Sequence, residues 1–377
     1  MSREVPLLKI YWDDADLREV GEAIKAGMYW AIGPQVEAFE SGLARYIGST
    51  HAVVFSSGTT ALHALLLAYG IGGDDEVIVP SFTFIATANA ALFVGAKPVF
   101  ADIEETTLGL DPHDVERRIT AKTKAILPIH YGGCPCLIED LREIAHDRGL
   151  LLLEDAAEAF GAQVAGGKTG TFGQAGVLSF CQNKIITTGE GGAVITDSQE
   201  IADRLRLLRS HGRSEKVPGV CSSEQGDHVD LGFNFRMSNI TAALGKAQLE
   251  KADQAIARRR ERAFALNQRL SGVKQIRVPE APDGYFHVYQ MYTVRVQGGR
   301  SQRDGLMDYL GKRGVASKLY FPPVHLSQLY RRRFGCSEGD LPVTERLACE
   351  AVTLPMYPTL STEDIDYIAE QVRDYFS

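Results

Sequence analysis

Between His51 and about Thr196 the chain alternates short, unbroken apolar runs with stretches whose apolar residues recur at helical spacing. The runs are HAVVF from His51, EVIVP from Glu76, KPVF from Lys97, AILPIH from Ala125 and LLLLED from Leu150. Helical patterns begin at Gly58, cover Ala86–Val94 and begin again at Leu137. A run that is apolar throughout reads as a strand covered on both faces, because a half-buried strand would alternate with polar residues. The alternation therefore predicts βαβ units: an α/β fold with a mostly parallel sheet and helices on both sides. Right-handed crossovers bring the strand ends to one edge, where such sheets hold ligands.

Past Gly192 the pattern changes. The strand AVIT (193–196) leads into a charged helix, IADRLRLLRSHG from Ile201, and then into a polar segment from Arg213 to Val229 that reads as a mobile loop. Asn239 to about Leu270 predicts one long helix linking a large domain, 1–245, to a smaller C-terminal one, 246–377. There MYTVRV (291–296) and the helical pattern Arg303–Arg313 suggest an α+β unit. The basic clusters Arg258-Arg259-Arg260-Glu261-Arg262 and Arg331-Arg332-Arg333 read as solvated helix faces rather than phosphate sites.

Composition narrows the classes. With 377 residues, 45% of them hydrophobic, the chain can bury one large core and a smaller one. A net charge of −8 argues against a nucleic-acid binder that relies on a general basic field, so an anionic ligand must be gripped locally. No signal-peptide pattern and no apolar stretch of membrane-spanning length is present, so no membrane association and a cytoplasmic location are expected. The six cysteines, at 134, 136, 181, 221, 336 and 349, are too sparse for a disulfide scaffold, and the pair Cys134-Pro135-Cys136 lacks a second cluster with metal-ligand spacing. Reduced cysteines and no metal are the expectation.

Three stations along the predicted sheet edge carry candidate chemistry. Ser57-Gly58-Thr59 heads a helix with Leu62, Leu65, Leu66 and Tyr69 on one face. Free N–H groups and the helix dipole at such an end attract a phosphate, although the same string is a good helix cap. Asp155 ends the apolar run LLLLED, where it suits either a helix cap or a partner for a protonated pyridine nitrogen. Glu158, three residues on, shares its face and is placed to reach a cofactor ring. Lys184 follows the strand-like VLSFC (177–181) and precedes the glycine-rich TTGEGG (187–192). A lysine there must shed its proton to attack an aldehyde, and cationic neighbours would help it do so. Phe84, after another strand end, suits stacking on a flat heterocycle, and Ser179 a further phosphate hydrogen bond; either is otherwise ordinary core. Together, phosphate cradle, acid and amine are the set that holds pyridoxal phosphate (PLP) as a Schiff base.

The ordered strings SSGTTALH, PSFTFIATANA, EDAAEAFGA, SFCQNKIITTGEGG and GFNFRMSNITAALGKAQLE resemble the DegT/DnrJ/EryC1/StrS sugar aminotransferases over nearly the whole chain. The resemblance implies a PLP-dependent transferase of fold type I, aspartate aminotransferase-like. It implies that Lys184 forms the Schiff base, Asp155 binds the pyridine nitrogen, Phe84 stacks on the ring, and Ser57, Gly58, Thr59 and Ser179 hold the phosphate. Asn234, in GFNFRM, would reach the phosphate of a neighbouring subunit, implying a homodimer with shared sites, and His325, in YFPPVH, would face the substrate. L-glutamate and a nucleotide-linked keto sugar are the implied substrates. Glu158 and the form NKIITTGEGG favour amination at C4 over C3, with GDP-4-keto-6-deoxymannose as the first acceptor; a 3-keto sugar or a keto-cyclitol is the alternative. A dinucleotide-dependent oxidoreductase lacks its glycine fingerprint in the first βα units, and Lys184 with Asp155 disfavours a non-catalytic sensor.

Overall fold

The computed structural model describes residues 3–214 and 227–377, so the middle of the expected mobile loop, 215–226, lies outside the described residues, as does Cys221. In chain order, β1 (His51–Phe55), β2 (Glu76–Pro80), β3 (Lys97–Ala101), β4 (Thr123–Ile126) and β5 (Leu151–Asp155) are followed by strands Ala175–Ser179 and Gly192–Thr196. All seven form one sheet, ordered β1, Gly192–Thr196, Ala175–Ser179, β5, β4, β2, β3. Every neighbouring pair is parallel except the two made by Gly192–Thr196, which runs against both β1 and Ala175–Ser179. This is the mostly parallel sheet that the apolar runs predict.

Why those runs are continuous is visible in how they pack. In β1, Val53 and Phe55 enter a core shared with the helix Gly58–Ala68, while Ala52 and Val54 enter a second core with Phe39, Leu178 and Phe180. Successive side chains of a strand point to opposite faces, so a strand with a core on each side must be apolar at every position. β5 obeys the same rule, with Leu153 in the first core and Leu152 in a third. Its last two residues, Glu154 and Asp155, inherit that alternation and face opposite sides.

A separate core gathers Leu266, Leu270, Tyr292, Val294, Leu306, Val352 and Ile368. Its sheet consists of Ile276–Arg277, Tyr292–Val296 and Ala351–Leu354, all antiparallel, covered by helices Gly299–Lys312 and Thr362–Phe376. Val5 joins it by pairing with Val315, so the N-terminal segment belongs partly to this body.

Two sequence expectations need correction. The single helix from Asn239 to Leu270 is two, Asn239–Glu250 and Ala252–Leu270. They part at Lys251, whose buried side chain turns onto Asp13, 2.9 Å away, and Asp16. The Arg258–Arg262 cluster is not a solvated face: Arg259 is buried, and its Nη1 donates to the carbonyls of Tyr289, Gln290 and Met356. Arg260 donates to the carbonyl of His287 at 2.6 Å and lies over Phe286. These arginines tie the helix to loops of the second body by supplying donors to their carbonyls. Arg331, Arg332 and Arg333 are exposed, as expected. Among the described residues no helix is long and apolar enough to cross a membrane.

Candidate active site

The sheet edge collects the candidate residues in two groups. The first is a cradle at the start of the helix Gly58–Ala68, whose first internal hydrogen bond is Ala61 N–H to Ser57 carbonyl. Ser57 is the N-cap, its Oγ accepting from Thr60 N–H at 3.1 Å, which leaves the N–H groups of Gly58 and Thr59 ahead of the first turn. A Cβ on Gly58 would stand 3.1 Å from the Cβ of Ser179, so the glycine lets the cradle close on that serine. Gly192 is needed for the same reason, since a Cβ there would come within 2.6 Å of the Ser57 carbonyl carbon. The GFNFRM segment runs alongside: Ser56 N–H donates to Phe235 carbonyl at 2.8 Å, and Asn234 is exposed one residue away.

The second group surrounds Lys184. Its Nζ lies 3.5 Å from Glu158 Oε1, and Glu158, 4% exposed, accepts Gly132 N–H on its other oxygen at 3.0 Å. Asp155, on the other side of the same turn, accepts from Thr87 Oγ1 at 2.8 Å and from Ala157 N–H at 3.1 Å. Burial pushes the Asp155 carboxyl above the usual carboxylate range, against the pull of those two donors and of the Lys184 charge. Thr87 also receives Phe84 into the site, its N–H donating to Phe84 carbonyl at 3.2 Å. The Phe84 ring is 56% exposed and 6.1 Å from the Phe321 ring. A large apolar ring left open beside a buried acid is what a flat cationic heterocycle would cover.

The residues thus fit the cofactor by their own chemistry: a buried carboxylate short of a positive partner, an open aromatic face, an amine within reach and free N–H groups at a helix start. The ion-pair partner that the structure gives Lys184 is the carboxylate of Glu158.

His325 is placed otherwise. It is 1% exposed, with Nδ1 2.6 Å from Ser81 Oγ and Nε2 3.2 Å from Glu345 Oε1. Burial holds its imidazole below the usual histidine range. The substrate contact expected of it is left without a free ring nitrogen, and the side chain braces the end of β2 against the helix Pro342–Glu350.

Sequence reasoning missed Thr87 and Gly132. Thr87 sits three residues after Phe84, a helical turn away, and that spacing was the available signal. Nothing local marks Gly132, since its N–H reaches Glu158 from another strand end.

The DegT/DnrJ/EryC1/StrS aminotransferase family model matches residues 11–373. GDP-perosamine synthase of Escherichia coli O157:H7 is 37% identical, over 95% of this chain and 94% of that protein, and GDP-perosamine synthase of Caulobacter vibrioides is 39% identical over 90% and 89%. Among solved structures, Helicobacter pylori PseC, an aminotransferase involved in the biosynthesis of pseudoaminic acid, superposes with a TM-score of 0.94 at 29% identity over 99% of both chains. The chain belongs to the DegT/DnrJ/EryC1/StrS aminotransferase family and is a PLP-dependent sugar aminotransferase of fold type I.

Proposed function

We propose that this enzyme moves the amino group of L-glutamate to a nucleotide-linked 4-keto-6-deoxyhexose, with GDP-4-keto-6-deoxymannose as first choice. The observation that carries the transfer chemistry is the Lys184 Nζ beside Glu158 and near enough to buried Asp155 for its charge to act on that carboxyl. The GDP-perosamine synthases among the relatives, together with the Glu158 and NKIITTGEGG forms, support the choice of acceptor.

Bound PLP supplies an electron sink that makes the donor's Cα–H bond acidic. We assign the chain's own groups as follows. Gly58 and Thr59 N–H groups, with the Ser57 and Ser179 hydroxyls, hold the phosphate. Asp155 keeps a proton on the ring nitrogen by offering a buried carboxylate to it. Phe84 covers one ring face and excludes water. Lys184 takes the Cα proton from the donor and returns one to the acceptor side, so a single amine serves as base and then acid.

We place the division between the large and small domains near residue 246 and read the enzyme as a cytoplasmic homodimer. Exposed apolar side chains near the N-terminus, among them Trp12, Leu17, Met28 and Trp30, support a subunit interface. Asn239 N–H donates to Trp30 carbonyl at 3.0 Å, so this surface is tied to the helix that follows exposed Asn234. Such an arrangement suits an asparagine that completes the partner's phosphate site.

The test is a competition among nucleotide-linked 4-keto and 3-keto sugars with L-glutamate, read by product mass, with Lys184→Ala as the inactive control. The 4-keto sugars should be consumed and the 3-keto isomers left, because a ketone moved by one ring position loses its near-attack geometry. Preference for a 3-keto sugar or a free cyclitol would overturn the acceptor assignment alone.

A further inference from the structure

Lys184 and Glu158 form a pair with little access to solvent, their side chains 12% and 4% exposed. The carboxylate is held from both ends, by Lys184 Nζ at 3.5 Å and by Gly132 N–H at 3.0 Å. Gly132 has φ +62, a left-handed conformation that glycine adopts without strain. Its carbonyl in turn accepts Met291 N–H at 3.0 Å, and Gln290 Nε2 donates to the carbonyl of Asn183, the residue before Lys184. One segment therefore clasps both members of the pair. Asp155, on the same turn, is committed to Thr87 and Ala157 instead.

We propose that Glu158 is a positioning residue for Lys184: its carboxylate lies where positive charge develops as Lys184 takes the donor's Cα proton, and holds Nζ in line between the two proton transfers. The proposal rests on the aminotransferase reading. The step balances without moving a proton to Glu158. The amine lone pair forms the new N–H bond, the Cα–H bond breaks, its electron pair stays with the donor, and Lys184 goes from neutral to positive beside a negative group. A fixed charge placed where charge develops, in a water-poor site, favours the step that forms it. The same contact makes free Lys184 less reactive, because Nζ is held on the carboxylate and away from an incoming reagent. Those two effects have opposite signs in a variant.

The experiment compares wild type, Glu158→Gln and Glu158→Asp. In full-length protein stripped of cofactor, Lys184 is labelled at pH 8 with an amine-reactive reagent and followed by peptide mass spectrometry, with exposed Lys25 as the internal reference. Glu158→Gln should label Lys184 several-fold faster than wild type, while turnover in the loaded enzyme falls by roughly 10- to 100-fold. The isotope effect with α-deuterated glutamate should grow. Glu158→Asp keeps the charge on a shorter arm and should lie between the two; it also carries the test if the glutamine variant fails to fold. Slower or unchanged labelling in a variant that melts normally would overturn the proposal. So would unchanged labelling with a shifted absorbance of bound cofactor, which would assign Glu158 to the ring. Failure of the aminotransferase reading would show separately, as wild type that transfers no amino group from glutamate.

Discussion

Glu154 and Asp155 are neighbours on β5, both buried and both acidic, yet the two faces of the sheet treat them differently. Glu154 receives four donors: Phe172 and Gly173 N–H on one oxygen, Gly170 N–H and His130 Nε2 on the other, at 2.6 to 2.9 Å. His130 Nδ1 accepts Cys136 N–H at 3.1 Å, so its proton sits on Nε2, facing the carboxylate. Asp155 receives two donors and remains short of charge compensation, which is why burial raises its pKa. A saturated acid holds loops in place; an unsaturated one at the same depth is available to a ligand. The difference lies in the loops that each face supplies, since the backbone setting is shared.

Replacing each acid by its amide should separate the roles. Asp155→Asn is expected to lower turnover by roughly three orders of magnitude, because a neutral amide no longer holds a proton on the ring nitrogen. Cofactor-free protein should lose no stability, since the variant removes a buried carboxylate that its surroundings compensate poorly. Near-normal turnover in this variant would break the comparison from the functional side.

Glu154→Gln is expected to do the reverse. Its amide nitrogen would face either the Phe172 and Gly173 N–H groups or those of Gly170 and His130, turning two accepted hydrogen bonds into donor–donor contacts. The cost should be about 3 kcal/mol of folding free energy, visible as a lower urea midpoint with unchanged slope. Turnover per folded enzyme should stay within about threefold of wild type. Lost turnover at full stability would mean that the loop Gly170–Gly173 serves the chemistry and not the scaffold alone.

How far this contrast was legible in the sequence follows from range. The run LLLLED told of a buried strand and of an acid at its end, because a strand with two cores is apolar throughout. It marks Asp155 as the acid at the strand end but not how differently the two acids are satisfied, since every donor to them except Ala157 N–H lies 16 to 68 residues away along the chain. Lys184, the cradle and Phe84 were legible because glycines and strand ends mark them locally. The pairing of Glu158 with Lys184 is not legible, since the turn that brings one of its oxygens to the lysine joins two separate parts of the chain. The break at Lys251 was hidden because the apolar periodicity continues across it, and only the side chain's reach to Asp13 and Asp16 distinguishes the position. Arg259 was read as solvated from its charged neighbours, yet a helix entering a second core buries one residue of any such cluster.

The smallest effect is the most diagnostic of Asp155's state without its cofactor. A carboxyl whose folded pKa lies above its unfolded value of about 3.8 contributes stability that is fully present below that value and is lost as pH rises through the folded pKa. Cofactor-free wild type should therefore forfeit a little stability as pH climbs from about 4 towards neutrality, and Asp155→Asn, which cannot ionise there, should lack that component. Comparing the two by thermal melting isolates the contribution from every other titrating group, because those are common to both. The gap in Tm, with the amide ahead, should be near zero at pH 4 and reach a few degrees at pH 7. Loading wild type with PLP should shrink or reverse the gap at pH 7, as a positive ring nitrogen gives the carboxylate the partner that the protein withholds. A gap that is constant across pH would show that Asp155 is as well compensated as Glu154, and the two faces of β5 would no longer differ in kind.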